Sequence, residues 1–136
     1  MDTHTRTYWT STAITAFVLL SGGVTYLLSA EWAVAGVTAL GYPAYVVTLL
    51  GVWKVLGAVA VTVPGFPLLK EWAYAGVAFD LSGATVSHLV SGSPAFHVLV
   101  PVVLLAVAAL SWATRPASRR LTAPSVRSAE RTPATV

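Results

Sequence analysis

Four apolar runs, Tyr8 to Ala30, Ala44 to Val63, Glu71 to Val90 and Ala95 to Thr114, occupy most of this 136-residue chain. Each is near the ~20 residues that a helix needs to span a ~30 Å hydrocarbon core. Helices of a soluble bundle would carry polar residues at helical period along one face. Here most positions all round are apolar. Charged residues make up 10% of the chain, against about 25% in a soluble domain, too few to coat a soluble surface. The expected fold is all-α, an integral membrane four-helix bundle over residues 1–116. Beyond it, Pro116, Pro124 and Pro133 stand among many Ser, Thr and Arg residues, so residues 117–136 read as a disordered basic tail.

Turn chemistry separates the runs, at Gly41-Tyr42-Pro43, Pro64-Gly65-Phe66-Pro67 and Gly92-Ser93-Pro94. The second and third connections are short, so the helices they join are expected to be antiparallel neighbours. The first, Glu31 to Pro43, is long and apolar enough to hold a short helix lying at the interface. Arg6, Lys70, Arg115, Arg119, Arg120, Arg127 and Arg131 all fall on one side of such a four-span chain. By the positive-inside rule that side is the cytoplasm, with both termini there. Tyr8, Trp9, Trp72, Tyr74 and Trp112 then mark the inner interface, and Tyr26, Trp32, Tyr42 and Tyr45 the outer one.

A cleaved signal peptide ending near Leu28-Ser29-Ala30 is the alternative for the first run. A signal core usually has about 7–15 residues, and this run is longer. Its Ser21-Gly22-Gly23 stretch with Thr25 also suits packing against other helices. The chain has no cysteine. It therefore carries no disulfide, thiolate metal site or dithiol redox reaction of its own.

Lys54 and Asp80 are the only charges in the middle of an apolar run. Lys54 lies nine residues before Val63, and Asp80 nine after Glu71. At 1.5 Å per residue, each is about 14 Å from the same connecting turn. The two charges should therefore meet at matching depth near the midplane. An isolated charge there costs at least ~2.5–3.5 kcal/mol, so pairing is the expected solution. Gly51, Gly57 and Ala58 share a side with Lys54, and Gly76, Gly83, Ala84 and Ser87 share one with Asp80. Small residues at these positions let two backbones approach, which would turn the charges into the bundle. Two readings are open. One is a buried ion pair that only fixes packing, a kind that often adds little net stability. The other is a polar site for a proton, a quinone-like head group or another small ligand. In the second reading Ser87 and His88 extend the polar surface outward, and Trp53 or Tyr26 supplies an apolar wall.

His88 and His97 flank the third connection, toward the outer end. A metal site would need a third ligand, and Glu31 is the only carboxylate expected on that side. The expectation is therefore no metal, with the histidines bonded to water or backbone. Asp80, Ser87 and His88 lie along one helix and make no hydrolase triad. No phosphate-binding glycine loop is present, because Gly22-Gly23 is inside a span. The tail arginines suit orientation and anionic lipid, and a nucleic-acid partner is not expected.

The segments Leu40-Gly41-Tyr42-Pro43, Leu50-Gly51-Val52-Trp53-Lys54-Val55-Leu56-Gly57, Pro64-Gly65-Phe66 and Glu71-Trp72-Ala73-Tyr74-Ala75-Gly76, on through Phe79-Asp80 to Ser87-His88, resemble the DoxX-like family of small bacterial membrane proteins. The resemblance covers about Tyr8 to Pro116. It implies a multi-pass four-helix bundle in a bacterial plasma membrane. Some members of the broader family are subunits or partners of quinone-linked and thiol- or superoxide-related redox systems. The resemblance thus implies a non-catalytic accessory subunit of a membrane redox complex, with the lipid bilayer and other subunits as partners. The alternative is a small binder or carrier of a lipophilic molecule, a quinone being the candidate, centred on Lys54 and Asp80 with Ser87, His88 and Trp53. A continuous ion or proton pathway has only Lys54, Asp80, Ser87, His88 and Thr25 to draw on.

Overall fold

The computed structural model describes residues 3–122. Among them it is all-helical, with five α-helices, one 3-10 turn and no strand. The helices are α1 (Thr3–Leu27), α2 (Glu31–Ala39), α3 (Tyr45–Thr62), α4 (Pro67–Val90) and α5 (Ala95–Ala113). The short α2 fills the long first connection. Three helices, α1, α3 and α5, are long and apolar enough to cross a membrane. With 24 residues α4 has the length, but Lys70, Glu71, Asp80 and His88 are spread so that it has no 18-residue stretch as apolar as the best stretches of the other three. The sequence predicts four comparable spans; the third, within α4, differs because Glu71, Asp80 and His88 interrupt its apolar residues at start, middle and end.

Local sequence explains where the helices stop. Gly92 (φ 63) adopts the left-handed conformation after α4. Its N–H bonds the Leu89 carbonyl at 3.2 Å, and the next N–H, of Ser93, reaches back to His88 at 3.0 Å. These two bonds satisfy carbonyls left open at the helix end. Ser29 (φ 51) plays the same part after α1. Between α3 and α4 the chain reverses within Val63–Phe66, using Gly65 (φ 76) and Phe66 (φ 50). Pro67 then starts α4 at a position where its missing N–H costs nothing.

Packing is uneven. The most extensive contact is α1 on α3, followed by α4 on α5 and α1 on α5, and of the long-helix pairs in contact α3 and α4 touch least. A central layer of Leu19, Ala58, Val77, Leu81 and Ala108 draws on all four long helices. The α1–α3 crossing is backbone against backbone. A Cβ on Gly23 would lie 2.8 Å from Val55 Cγ2 and 3.0 Å from the Gly51 carbonyl oxygen. One on Gly51 would lie 3.0 Å from Tyr26 Cβ and 3.1 Å from the Gly23 carbonyl. By contrast, a Cβ on Gly76 or Gly83 of α4 would meet nothing within 4 Å.

The tail expected over 117–136 falls outside the described residues from residue 123 onward. Its beginning does not run free. Ala117–Arg119 form a 3-10 turn, and Arg119 donates to the Tyr8 hydroxyl at 3.0 Å.

This packing yields a contrast. Gly23→Ala should lower stability by about 1–3 kcal/mol, because backbone must shift to admit the methyl. Gly76→Ala should be neutral or stabilising by up to about 1 kcal/mol, since a helical glycine is replaced where space is open. Equilibrium unfolding in detergent micelles measures both, and equal stability of Gly23→Ala and wild type would contradict the close crossing.

Candidate functional site

The middle of α3 is tied to the middle of α4 by Lys54, whose Nζ donates to Asp80 Oδ2. The α1–α3 crossing positions the lysine. A Cβ on Gly22 would lie 3.7 Å from Lys54 Cδ, so the aliphatic stem runs over the glycine. The ammonium comes to rest 5.8 Å from the centre of the Tyr26 ring, within cation–π range. Tyr26, expected at the outer belt or as a pocket wall, is thus beside the pair. The seal is incomplete, because the Lys54 and Asp80 side chains remain 17% and 20% exposed. The seam between α3 and α4 therefore presents one donor and one acceptor at a partly open surface.

The other expected residues do not converge there. Trp53 is 63% exposed and faces away from the protein interior. Ser87 donates to the Gly83 carbonyl at 2.8 Å and shares a 2.7 Å bond with the Tyr42 hydroxyl. His88 Nδ1 lies 3.0 Å from Ser93 Oγ. Ser87 and His88 are seven and eight residues beyond Asp80, about 10–12 Å along the helix.

The small residues also act differently from the expectation. Gly51 and Gly57 face α1, against Gly23 and Leu19, rather than α4. Gly76 and Gly83 are exposed. The pattern of small residues is legible in the sequence, but which neighbour each face meets depends on how the helices rotate about their axes. Two grooves are present elsewhere. One, of about 370 Å³, lies between α4 and α5 and is lined by Glu71, Tyr74, Ala78, Leu105, Ala108 and Trp112 among others. The second, of about 480 Å³, lies along Phe66–Leu69 and Trp72. Neither includes Lys54 or Asp80.

The structure adds a second polar centre, at the end of the molecule that holds the α3–α4 turn. Lys70 is fully buried and donates to the carbonyls of Ala60 at 2.9 Å and Val61 at 3.1 Å, and also to that of Val63. It thus serves the orphan carbonyls at the end of α3. Arg115 is 4% exposed; its Nη2 donates to Glu71 Oε1 at 2.7 Å, and its guanidinium centre is 5.3 Å from the Tyr74 and Trp112 rings. Trp112 Nε1 donates to the other Glu71 oxygen at 2.8 Å. Just inside, a buried hydroxyl chain joins Thr12 to Ser111 at 2.6 Å and Ser111 to Tyr74 at 2.7 Å. In the sequence, Lys70 and Arg115 read only as markers of orientation. The partner of Arg115, Glu71, is 44 residues away along the chain, and the carbonyls that Lys70 serves belong to another helix. Local pattern therefore carries no sign of this centre.

The sequence model of the DoxX-like family matches residues 10–111, the stretch that contains the Lys54–Asp80 pair and all five helices in whole or part. The chain belongs to the DoxX-like family. Among curated proteins and among solved structures, none matches. Family membership and three apolar helices make this a DoxX-like membrane protein.

The pair makes an energetic prediction. Lys54→Met or Asp80→Leu alone strands a mostly buried charge, which costs ~3–5 kcal/mol when burial is complete; partial exposure places the loss toward the lower end. The double variant Lys54→Met/Asp80→Leu should recover most of it. Additive single losses in a double-mutant cycle would show that the two groups do not act as a pair.

Proposed function

We propose that this DoxX-like protein is a non-catalytic accessory subunit of a membrane redox system, inserted as a four-helix bundle with both termini cytoplasmic. One observation carries the accessory reading. An ion pair at mid-helix is left about one-fifth exposed on a face of α4 where Gly76 and Gly83 stand open. In hydrocarbon such a pair is costly, and small residues at i−4 and i+3 from Asp80 are the kind that admit a neighbouring backbone. A transmembrane helix of a partner subunit laid on this seam removes the exposure. The redox setting rests on the family resemblance.

One further feature supports the membrane arrangement. Lys70, Arg115, Arg119 and Arg120 gather at one end of the molecule, as an inner surface requires. The pair then becomes an intramembrane ion pair near the midplane of a bacterial plasma membrane. Reporter fusions at Ser93 and Ala123 should read outside and inside respectively, and a cytoplasmic Ser93 would reverse the assignment.

A second reading is favoured by the same partial exposure: the seam admits the polar head of a lipophilic ligand such as a quinone from the bilayer. A photo-reactive residue at Gly76 or Gly83 in living cells separates the two. The subunit reading expects a discrete adduct with a cofactor-bearing membrane protein, lost when the other glycine is made Trp and absent from probes at Leu99 or Val103 on α5. A photo-reactive quinone that labels the seam in an Asp80-dependent way, with no protein adduct, would instead support the ligand reading. Lipid adducts alone would contradict both.

A further inference from the structure

At the end of the molecule opposite the arginines, α4 and α5 bring two imidazoles together. The rings of His88 and His97 have centroids 5.5 Å apart with planes inclined at 32°. The four-residue connection Ser91–Pro94 fixes this approach, because Gly92 turns the chain and the His97 N–H bonds the Pro94 carbonyl at 2.9 Å. Two rings bound to one ion at about 2.0–2.1 Å per nitrogen have centroids no more than about 6 Å apart. The observed separation falls inside that limit.

We infer that His88 and His97 form an open two-histidine site for a divalent transition-metal ion, Cu(II) in preference to Zn(II). Three observations support it. The first is the ring separation. The second is that Nδ1 of His88 lies 3.0 Å from Ser93 Oγ; in the tautomer that donates its Nδ1 proton there, Nε2 has the free lone pair that ligates a metal. Metal-bound histidines are commonly fixed in this way through their other nitrogen. The third is that His97, which is exposed, has no side-chain hydrogen-bond partner among the described residues, its ring meeting that of His88 at a tilt and that of Phe96 edge-on.

No third His, Cys, Asp or Glu joins them among the described residues. The remaining coordination positions therefore belong to water, and the site is open rather than structural. The expectation of a third protein ligand holds for zinc, whose sites take three or four. A pair of imidazoles with water suits Cu(II), which leads the divalent series in affinity for nitrogen ligands.

The test is Cu(II) titration of the full-length, tag-free protein in detergent, followed by electron paramagnetic resonance. One equivalent of Cu(II) with hyperfine splitting from two equivalent imidazole nitrogens is expected. His97→Ala and His88→Ala should each weaken binding at least ~10-fold, and Ser93→Ala should weaken it less, by up to ~10-fold, as loss of an orienting partner does. His4→Ala, in the first turn of α1 at the other end, should leave it unchanged. Coupling to a single nitrogen, affinity unaltered in His97→Ala, or binding weaker than about 1 mM would overturn the proposal. The nitrogen count is read on the unaltered protein, so it decides the matter even where a variant fails to fold.

Discussion

The contact of Gly23 with Gly51 governs how the helices of this molecule are arranged. With no Cβ on either residue, α1 and α3 meet backbone to backbone. That closeness lays the Lys54 stem across Gly22 and delivers its ammonium to Tyr26 and Asp80. A wider crossing would separate the lysine from its glycine bed. In a membrane, where lipid is as apolar as the side chains, close van der Waals approach of this kind is a principal source of helix association. The glycines and the ion pair are therefore parts of one arrangement: packing places the charge, and the charge then ties the tightly joined α1–α3 unit to α4.

The charges at the other end obey a different rule. There the problem is the open carbonyls at the end of α3 and the junction of α4 with α5. Lys70 answers the first with all three of its N–H donors. Arg115 answers the second, held between two aromatic rings and bonded to Glu71. Arg119 reaches Tyr8 of α1 as well as the Val61 and Thr62 carbonyls of α3. Residues that the positive-inside rule would place toward the cytoplasm can thus also close this end of the molecule by their hydrogen bonds. The two roles are compatible because long basic side chains bury their stems while their heads find partners.

How much of this is legible in the residues alone depends on the range of each cause. Helical class and turns are set within a few residues, and Gly41, Gly65 and Gly92 do adopt positive φ at the marked breaks. Matching depth of Lys54 and Asp80 comes from counting along helices joined by a short turn, and the structure brings the two head groups together. Helix rotation is another matter. Nothing local states whether Gly51 should face α1 or α4, since both are antiparallel neighbours of α3. The same holds for the Thr12–Ser111–Tyr74 chain, whose members come from three helices. Many hydroxyls inside the apolar runs bond the preceding turn of their own helix, such as Thr15 to Ser11 at 2.8 Å. Only packing distinguishes those that also cross between helices.

The open face of α4 bears on function because of what it is not. If Gly76 and Gly83 had allowed α3 and α4 to close together, the pair would be sealed and a structural role would suffice. Instead α3 and α4 have the weakest contact of the four adjoining long-helix pairs, and the ion pair that links them at mid-length is left partly exposed. Burial of a charge is tolerable when its environment completes the solvation that water gave up. Here the protein completes part of it, with one carboxylate, one ammonium and one aromatic ring. The described residues leave the remainder to the surroundings. A helix can supply it through backbone approach at the glycines, and a polar head group through a direct hydrogen bond. The two occupants place different demands on the glycines: a helix needs them small, whereas a head group needs only the charges. Steric substitution at Gly76 and Gly83 is therefore the property that separates a subunit surface from a ligand site.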